Sequence, residues 1–319
     1  MLVVIALGGN ALLRRGEPLD ASVQRANVKV AAEAVAEVAA DHRIVLTHGN
    51  GPQVGLLALQ SAACAGVAPY PLDVLDAESE GMVGYLVEQE LGRHVPRRRL
   101  ATLLNQVVVD ADDPAFDNPT KPVGPVYSTA EAWRLASLHG WDVAPDGDGG
   151  GWRRVVPSPE PKTIVELDAV RILVEHDLLV TCVGGGGIPV VADGDGLRGV
   201  EAVIDKDISA ALLATELDAD ALLLLTDVDA VYRGWGSPEQ SAIRRATPAE
   251  LRALDAAAGS MGPKIEAACR FVEAGGRIAA IGALDEGAAM LRGEAGTVVV
   301  ADGAPLPIAG ADARCIDRH

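Results

Sequence analysis

The sequence predicts an α/β protein, built on a mainly parallel sheet with helices on both faces and carrying a small inserted subdomain. Three observations lead to this fold class. Short apolar runs alternate with helical patterns, several of these runs end in glycine, and one proline-rich segment interrupts the alternation. Alternation of this kind is typical of parallel strands that are joined by helices.

The expected strands are short apolar runs, and the expected helices lie between them. Strands are predicted at residues 2–7, 43–47, 104–109, 178–183, 221–226 and 297–300. Helices are predicted at residues 22–40, 52–64, 78–92, 165–176, 207–217 and 263–274. Several strands run directly into glycine, at Gly8, Gly49 and Gly184. Ligands of open α/β sheets bind beyond the carboxyl ends of the strands, so these glycines mark the expected site.

Residues 111–163 break this rhythm. The segment holds many prolines and the run Asp146-Gly147-Asp148-Gly149-Gly150-Gly151, but few patterns typical of a sheet core. Clusters of glycine and proline indicate turns between short strands. We therefore expect an inserted subdomain with a turn at 146–151, and an irregular tail from residue 301 onward.

Composition and charge exclude several classes of function. The chain has 319 residues, of which 49% are hydrophobic, and a formal net charge of −18. Proteins that bind nucleic acids draw affinity from lysines and arginines, so this charge argues against such a partner. The cysteines at 64, 182, 269 and 315 lack metal-ligand spacing and indicate free thiols in a reducing compartment. No run approaches the roughly 20 apolar residues of a membrane helix, and no signal-like leader is seen, so a cytosolic location is expected.

Lysines are rare in this chain, which makes their positions informative. Of 27 basic residues, 22 are arginine and five are lysine, at 29, 121, 162, 206 and 264. Lys206 follows Asp205, a good N-cap, and Lys264 follows Pro263, a residue suited to the first helical turn. A cation in a first helical turn is unfavourable by roughly 0.3–1 kcal/mol, unless a bound anion meets the ammonium and backbone N–H groups together. The pattern favours an anion site, and phosphoryl transfer needs such positive charge.

Three glycine clusters follow strands: Gly8-Gly9-Asn10, Gly49-Asn50-Gly51 and the run 184–187. Because side chains are missing, these backbones can approach a small planar anion closely, and successive N–H groups can form an anion-binding nest. None of the clusters matches the P-loop pattern, and no dinucleotide fingerprint opens a helix after the first strand. The clusters therefore predict a phosphate-handling site that differs from a Walker-type ATPase.

Several segments of the chain resemble the motifs of carbamate kinases, in the same order. They are ALGGNAL (6–12), HGNGPQVG (48–55), DPAFDNPTKPVGPVY (113–127), RRVVPSPEPK (153–162), GGGGIPVV (184–191), GVEAVIDKD (199–207), LTDVDAVY (225–232) and GSMGPK (259–264). The resemblance runs from residue 2 to about 298. The blocks at 119–127 and 153–162 separate carbamate kinases from acetylglutamate, glutamate and aspartate kinases, which share the wider amino-acid kinase fold.

This resemblance implies a three-layer αβα sandwich with a protruding subdomain, forming a single domain over residues 1–319. Its carbamate-binding part is expected at about 1–190, the protruding subdomain at about 111–163, and the nucleotide-binding part at about 191–319. The implied reaction interconverts ATP and carbamate with ADP and carbamoyl phosphate, and Mg²⁺ rides mainly on the phosphates. ATP synthesis is the favoured direction, as in family members that end arginine breakdown. A homodimer is also implied.

The same resemblance implies roles for the site residues. Lys206 and Lys264 would flank the transferring phosphoryl group, Asp207 would orient these lysines, and Lys121 would reach in from the subdomain. The carbamate and phosphate pocket would be lined by Gly8, Gly9, Asn10, Gly49, Asn50, Gly51, Gly185 and Gly186. The nucleotide would be held by Thr226, Asp227, Val228, Tyr232, Met261 and Pro263.

Two other functions stay open at this point: another small-acid kinase of the same fold, and a catalytically silent nucleotide-binding regulator. A larger substrate would need an extra binding arginine or an open pocket near Gly49, whereas a silent protein should lose a phosphoryl-site lysine. Among the remaining polar residues, His48 is expected to be structural. Glu78 and Glu80 are expected to serve surface or dimer contacts.

Overall fold

The computed structural model describes residues 1–14, 16–18, 20–64, 66–146, 150–254 and 261–303, with the side chain of Asn10 left out. The first strands are β1 (Leu2–Leu7), β2 (Arg43–His48), β3 (Arg99–Thr102), β4 (Gln106–Val109), β5 (Lys121–Tyr127), β6 (Asp142–Pro145), β7 (Trp152–Val156), β8 (Pro161–Ile164) and β9 (Leu178–Thr181). The later strands are β10 (Ile188–Asp193), β11 (Gly196–Gly199), β12 (Ala221–Thr226), β13 (Val231–Arg233), β14 (Ser241–Ile243), β15 (Arg245–Ala246), β16 (Ile278–Ala283) and β17 (Thr297–Val299). The helices are α1 (Ala21–Ala39), α2 (Gly51–Ala63), α3 (Leu72–His94), α4 (Thr129–His139), α5 (Leu167–Glu175), α6 (Lys206–Glu216), α7 (Pro248–Arg252), α8 (Met261–Glu273) and α9 (Gly287–Leu291).

The central sheet has the strand order β15-β17-β16-β12-β1-β2-β9-β3. Its neighbouring strands run parallel, except for the antiparallel pair β16 and β17. Side chains alternate along β1: Val4 and Ala6 face one apolar layer, whereas Val3, Ile5 and Leu7 face the other. Helices α5, α6 and α8 cover the first layer, and α1, α3 and α9 cover the second. The result is a three-layer αβα sandwich.

One predicted strand is misplaced, and three strands of the central sheet, β3, β15 and β16, were missed. The run predicted at 104–109 forms a strand only over Gln106–Val109, within a second sheet of order β11-β10-β4-β8. The edge of the central sheet is instead Arg99–Thr102, which pairs with β9. Strand β16 was missed because its sequence IAAIGA contains small residues with weak strand preference, and β15 is only two residues long. The other predicted strands lie in the central sheet.

Helix α3 begins at Leu72, well before the predicted start at residue 78. The backbone N–H of Leu72 donates to the Glu201 carboxylate at 3.0 Å, which satisfies one of the open donors of a helix N-terminus. Because this partner lies 129 residues along the chain, local sequence does not reveal the start of the helix. The other predicted helices agree with their observed bounds to within two residues.

The inserted segment forms a separate antiparallel sheet, β5-β7-β6, with helix α4 packed against it. Apolar side chains of this sheet join α2 and α3 in a small cluster. The two parts touch through their backbones, since a Cβ on Gly55 of α2 would lie 2.1 Å from Gly124 Cα of β5. Glycine at position 55 therefore permits a close approach that brings Lys121, the first residue of β5, to Asp205 ahead of α6.

The remaining predictions concern thiols, turns and membrane spans. Cys64, Cys182 and Cys269 are free thiols, whereas Cys315 lies outside the described residues. Residues 147–149 of the expected turn and 304–319 of the expected tail also lie outside them. Within the ranges that the structure covers, no helix is both long enough and apolar enough to cross a membrane.

Candidate active site

The loops that follow β1 and β2 meet at the carboxyl edge of the central sheet. Gly8 N donates to the Leu225 carbonyl of β12 at 3.0 Å, which connects the first glycine loop to the neighbouring strand of the sheet. A Cβ on Gly49 would lie 3.2–3.3 Å from backbone atoms of Gly9 and from the Lys206 side chain. The two glycine loops are thus packed against each other and against Lys206. Of the other predicted pocket residues, Gly51 opens α2, and the side chain of Asn10 lies outside the description.

The third glycine loop, residues 184–187, closes the pocket from the side of β9. Gly185, Gly186 and Gly187 have φ angles of 66°, 105° and 89°, in the left-handed region that favours glycine. A Cβ on Gly185 would lie 2.1–2.5 Å from the side-chain amide of Asn50, and one on Gly186 would lie 2.7 Å from the Ile204 carbonyl oxygen. These close approaches require glycine, and they bring the loop against Asn50 and the segment that leads into α6.

Two lysines share one carboxylate at the start of α6. Asp205 caps this helix, because its Oδ1 accepts from the backbone N–H groups of Asp207 and Ile208 at 2.9 and 3.4 Å. Lys206 Nζ donates to Asp207 Oδ1. Lys264 Nζ, from the opening turn of α8, donates to Asp207 Oδ2 at 3.0 Å. The structure therefore brings Lys206, Lys264 and Asp207 together beside the glycine loops.

Lys121 joins this group from the subdomain. Its Nζ lies 2.5 Å from Asp205 Oδ2, so the aspartate that caps α6 also binds the subdomain lysine. The side chain of Lys121 is 33% exposed, against 13% for Lys206 and 7% for Lys264. Three ammonium groups and two carboxylates leave this cluster with one net positive charge. In a chain of net charge −18, such a site concentrates attraction for an anion.

Burial controls the electrostatics of the cluster. Desolvation raises the pKa of Asp207, but the charges of Lys206 and Lys264 outweigh it and bring the pKa to about 2. Burial lowers the pKa of Lys206, the attraction of Asp207 opposes this, and repulsion from Lys264 lowers it further. The Asp207 carboxylate thus binds two buried ammonium groups that repel each other. An incoming phosphate would favour the charged form of Lys206.

His48 lies at the end of β2 and is 1% exposed. Burial is the main cause that lowers its pKa to about 4; a contact with the Gly49 carbonyl opposes this, and the charge of Lys206 lowers it further. The imidazole packs against Gly184, where a Cβ would come within 2.5 Å of the ring. His48 is therefore neutral at pH 7 and supports the loops, in agreement with a structural role.

A cavity of about 370 Å³ opens beside the first glycine loop, at the ends of β12 and β16. Thr226 and Asp227 of the predicted nucleotide set line it, together with Arg14 and Asp285. Arg14 was not part of the predicted nucleotide set, and it lies in this lining beside the two aspartates. Its guanidinium would bring positive charge to a cavity of suitable size for part of a nucleotide.

The other four predicted nucleotide residues are not among the residues that line this cavity. Val228 and Tyr232 belong to the segment after β12, where the Tyr232 hydroxyl donates to Asp229 Oδ1 at 2.7 Å. Met261 and Pro263 lie in the opening turn of α8, the turn that carries Lys264. The structure therefore divides the predicted nucleotide set between the end of β12 and the start of α8.

The carboxylates nearest the three lysines are engaged, whereas the exposed Asp227 and Asp285 line the neighbouring cavity. Both oxygens of Asp207 accept hydrogen bonds from lysines, and Asp205 is engaged by the helix and by Lys121. Among the residues that the structure describes, no group of three or more His, Cys, Asp or Glu is placed to hold a metal ion. Asp205 and Asp207 are thus occupied by lysines and by the start of α6.

Sequence reasoning missed a buried polar face of α3 that supports the pocket. Asp76, Ser79 and Glu80 are 2%, 0% and 1% exposed. Asn50 Nδ2 donates to Asp76 Oδ1 and to Ser79 Oγ, at 3.1 and 2.7 Å. Asn105 N donates to Glu80 Oε2 at 3.1 Å. Burial raises the pKa of both carboxyl groups well above their usual range.

The expectation that Glu80 serves a surface or dimer contact is therefore wrong, whereas Glu78 is exposed. Residue 80 lies eight positions after Leu72 and three before Val83, both of which are buried. This spacing puts position 80 on the apolar face of the helix. The helical spacing of the buried apolar residues was the signal that could have predicted burial of Glu80. It was a better guide to the position of this residue than the charge of its side chain.

Glycine loops at the ends of parallel strands, with lysines gathered at two helix starts, define a phosphotransferase site that has no P-loop. The comparisons with known proteins agree with this class. Residues 1–282 match the sequence profile of the amino acid kinase family. The chain belongs to this family and, within it, to the carbamate kinases.

Relatives and solved structures carry the closer assignment. The chain is 56% identical over 303 residues to the carbamate kinase of Rhizobium meliloti (strain 1021), a match that covers 94% of this chain and 93% of that protein. It is 54% identical over 299 residues to the carbamate kinase of Haemophilus influenzae, covering 93% and 96% of the two chains. A carbamate kinase from Giardia lamblia bound to AMP-PNP superimposes with a TM-score of 0.86 at 40% identity, covering 94% of this chain and 98% of that one. The predicted amino-acid kinase fold is confirmed.

Proposed function

We propose that this protein catalyses reversible phosphoryl transfer between carbamoyl phosphate and ADP, forming ATP and carbamate. The observation that carries the proposal is the pair Lys206 and Lys264 on the Asp207 carboxylate, next to three glycine loops. Such an arrangement supplies positive charge and close backbone approach, which are the two requirements of transfer between small anions. The named activity of the relatives supports the choice of carbamate as acceptor.

In the proposed reaction, an oxygen of the ADP β-phosphate attacks the phosphorus of carbamoyl phosphate. The bond from phosphorus to the carbamate oxygen breaks, and carbamate leaves with that electron pair. Negative charge spreads over the equatorial oxygens of the moving group, where Lys206 and Lys264 stabilise it. Asp207 holds both lysines in position, and Lys121 reaches the phosphates from the subdomain.

The remaining predicted residues fall into two binding sets. The glycine loops, with Gly8, Gly9, Asn10, Gly49, Asn50, Gly51, Gly185 and Gly186, would hold carbamate and the moving phosphate. Thr226, Asp227, Val228, Tyr232, Met261 and Pro263 would hold the nucleotide, and Arg14 joins this set from the cavity lining. Mg²⁺ would enter as part of the nucleotide substrate, because the lysines already occupy Asp205 and Asp207.

We further propose that the reaction runs toward ATP synthesis in the breakdown of arginine or carbamoyl phosphate. A mixed carboxylic–phosphoric anhydride is a strong phosphoryl donor, which supports this direction. We also propose that the protein is cytoplasmic and forms a homodimer. The chain would form a single domain, with a carbamate-binding part near 1–190 and a nucleotide-binding part near 191–319.

The decisive experiment measures ATP formed by the purified protein from carbamoyl phosphate and MgADP. The same coupled assay is run in the kinase direction with MgATP and carbamate, acetylglutamate or glutamate as acceptor. ATP formation from carbamoyl phosphate, with no turnover of the larger acids, is the expected result. Turnover of a larger acid alone would identify another small-acid kinase, and no turnover at all would favour a silent nucleotide-binding protein.

A further inference from the structure

Asn50 lies between the third glycine loop and helix α3, and its side-chain environment is unusual. The residue is 2% exposed, and its amide lies against Gly185, where no Cβ could fit. Asn50 occupies the N-cap position of α2, where an asparagine oxygen ordinarily accepts from a backbone N–H of the first turn. Here the side chain makes no such cap bond. The Asn50 side-chain oxygen therefore does not cap α2, although its position favours that role.

Neighbouring groups determine which way the Asn50 amide points. Nδ2 lies 2.7 Å from Ser79 Oγ and 3.1 Å from Asp76 Oδ1. The hydroxyl of Ser79 donates its one proton to the backbone carbonyl of Asp76, at 2.9 Å. Toward Asn50, Ser79 Oγ then accepts, which agrees with the amide nitrogen facing α3. This donor count supports the assignment of nitrogen and oxygen.

With the amide in this orientation, Asn50 Oδ1 is an acceptor among groups that are mostly hydrogen-bond donors. Both N–H bonds of the Asn50 amide point to α3, and among the described residues no donor lies within hydrogen-bond distance of its Oδ1. Gly49, the residue before Asn50, packs against Gly9 and the Lys206 side chain, and Gly185 packs against the Asn50 amide. Glycine backbones and a lysine side chain suit the oxygens of an anion. An acceptor in such a pocket suits an N–H group instead. Carbamate and carbamoyl phosphate carry both kinds of group, oxygens and one amino group.

We propose that Asn50 Oδ1 accepts a hydrogen bond from the amino group of the substrate, and that Asp76 and Ser79 are positioning residues that hold the amide in this sense. The pocket then prefers carbamoyl phosphate to acetyl phosphate, which has a methyl group in place of the amino group. This inference rests on the proposed carbamoyl phosphate activity. Within that activity, Asn50 Oδ1 is the group that recognises the amino nitrogen of the substrate.

The burial of Asp76 supports a role beyond stability. Its Oδ2 is a buried oxygen without a hydrogen-bond partner among the described residues, and the side chain is 2% exposed. A buried carboxyl oxygen without a partner disfavours folding, so a stability-driven sequence would place an apolar residue there. Its other oxygen holds Asn50. Replacing Asp76 by leucine is therefore expected to maintain or raise the melting temperature while releasing the Asn50 amide.

The test compares kcat/KM for carbamoyl phosphate and for acetyl phosphate, each with MgADP, in the full-length protein. The double variant Asp76→Leu/Ser79→Ala removes both acceptors, so the amide can turn and present N–H groups to the substrate. We expect the preference for carbamoyl phosphate to fall on the order of tenfold or more, because a site built to pair with an N–H rejects the analogue that lacks it. Efficiency with carbamoyl phosphate should fall, and efficiency with acetyl phosphate should stay or rise.

Two single variants serve as controls on the same helix. Asp76→Asn keeps a carbonyl oxygen that accepts from Asn50, so the substrate preference should be retained. Glu78→Leu makes the same acid-to-leucine change on the exposed face and should leave both activities unchanged. Melting temperatures of all variants show whether the fold is intact.

The possible outcomes separate this inference from the proposed function. If the wild type forms no ATP from carbamoyl phosphate, the proposed function itself fails. If it does, but shows no preference over acetyl phosphate, Asn50 does not recognise the amino group. An equal loss for both substrates in the double variant, with or without a lower melting temperature, would overturn the positioning role of Asp76 and Ser79.

Discussion

Lys264→Met removes one of the two charges on which the proposed mechanism depends. Lys264 Nζ lies 3.0 Å from Asp207 Oδ2, and the lysine side chain is 7% exposed. At an effective dielectric constant near 20, unit charges at this separation attract by about 5–6 kcal/mol. Burial of the ammonium group and repulsion from Lys206 offset much of this attraction. Because Lys206 still pairs with Asp207, we expect the free energy of unfolding to fall by only about 1–3 kcal/mol.

The expected effect of Lys264→Met on catalysis is larger. Methionine retains an unbranched apolar side chain but supplies no charge to the moving phosphoryl group. Removing one positioned donor of this kind costs about 10²–10³ in rate. We expect kcat for ATP formation from carbamoyl phosphate and MgADP to fall by this factor. Hexokinase and glucose-6-phosphate dehydrogenase convert the ATP into an NADPH absorbance signal that measures it.

Lys29→Met is the matched control, since it makes the same change at an exposed position on α1. Urea unfolding of both variants measures the change in stability separately from the change in rate. A Lys264→Met enzyme that is folded and keeps kcat within about threefold of the wild type would refute the lysine mechanism. Equal losses in Lys29→Met and Lys264→Met would also refute it.

Three further substitutions, one of them with a matched glycine control, test the surrounding structure. An unfolded histidine binds protons below its usual pKa of 6.5, whereas buried His48 resists protonation down to about 4. The contribution of neutral His48 to the free energy of unfolding is therefore present above pH 6.5 and is lost as the pH falls toward 4, by up to about 3 kcal/mol. In urea unfolding, His48→Gln should reduce this fall of stability with decreasing pH. An unchanged dependence of stability on pH would contradict the burial argument. Gly55→Ala should lower the melting temperature, because a Cβ would lie 2.1 Å from the subdomain backbone, whereas Gly81→Ala, in a helix with open space around it, should stabilise the protein by about 0.5–1 kcal/mol. Similar effects of the two would rule out the close contact. Lys121→Met should lower kcat by about tenfold or more with little change in melting temperature, and an unchanged kcat would remove Lys121 from the site.

Hydrophobic pattern determined much of the fold. Strands such as β1 and β12 are continuous apolar runs, because both faces of a parallel sheet are covered by helices. These runs can be read without tertiary information. Strand β16 could not, since small residues are buried there by the packing of neighbours rather than by their own preference for strands. The early start of α3 likewise depends on the distant carboxylate of Glu201.

Local chemistry also identified the principal cations of the site. Asp205 before Lys206 and Pro263 before Lys264 are signals of helix starts that depend on neighbouring residues alone. The polar face of α3 escaped notice because charge suggested a surface location for Glu80. Its burial follows from the loops that cover it, and those loops lie far away in sequence.

The sequence by itself determined the sheet, the glycine loops and the two lysines at helix starts. Tertiary structure decided that these lysines share the Asp207 carboxylate, although Lys264 lies 57 residues away from it, and that Lys121 reaches Asp205 across 84 residues. It also decided that Asp76 and Ser79 of α3 accept hydrogen bonds from the Asn50 amide. The physical reason is that parallel strands collect their carboxyl ends at one edge, so groups remote along the chain meet there, and their burial and charge interactions depend on that meeting.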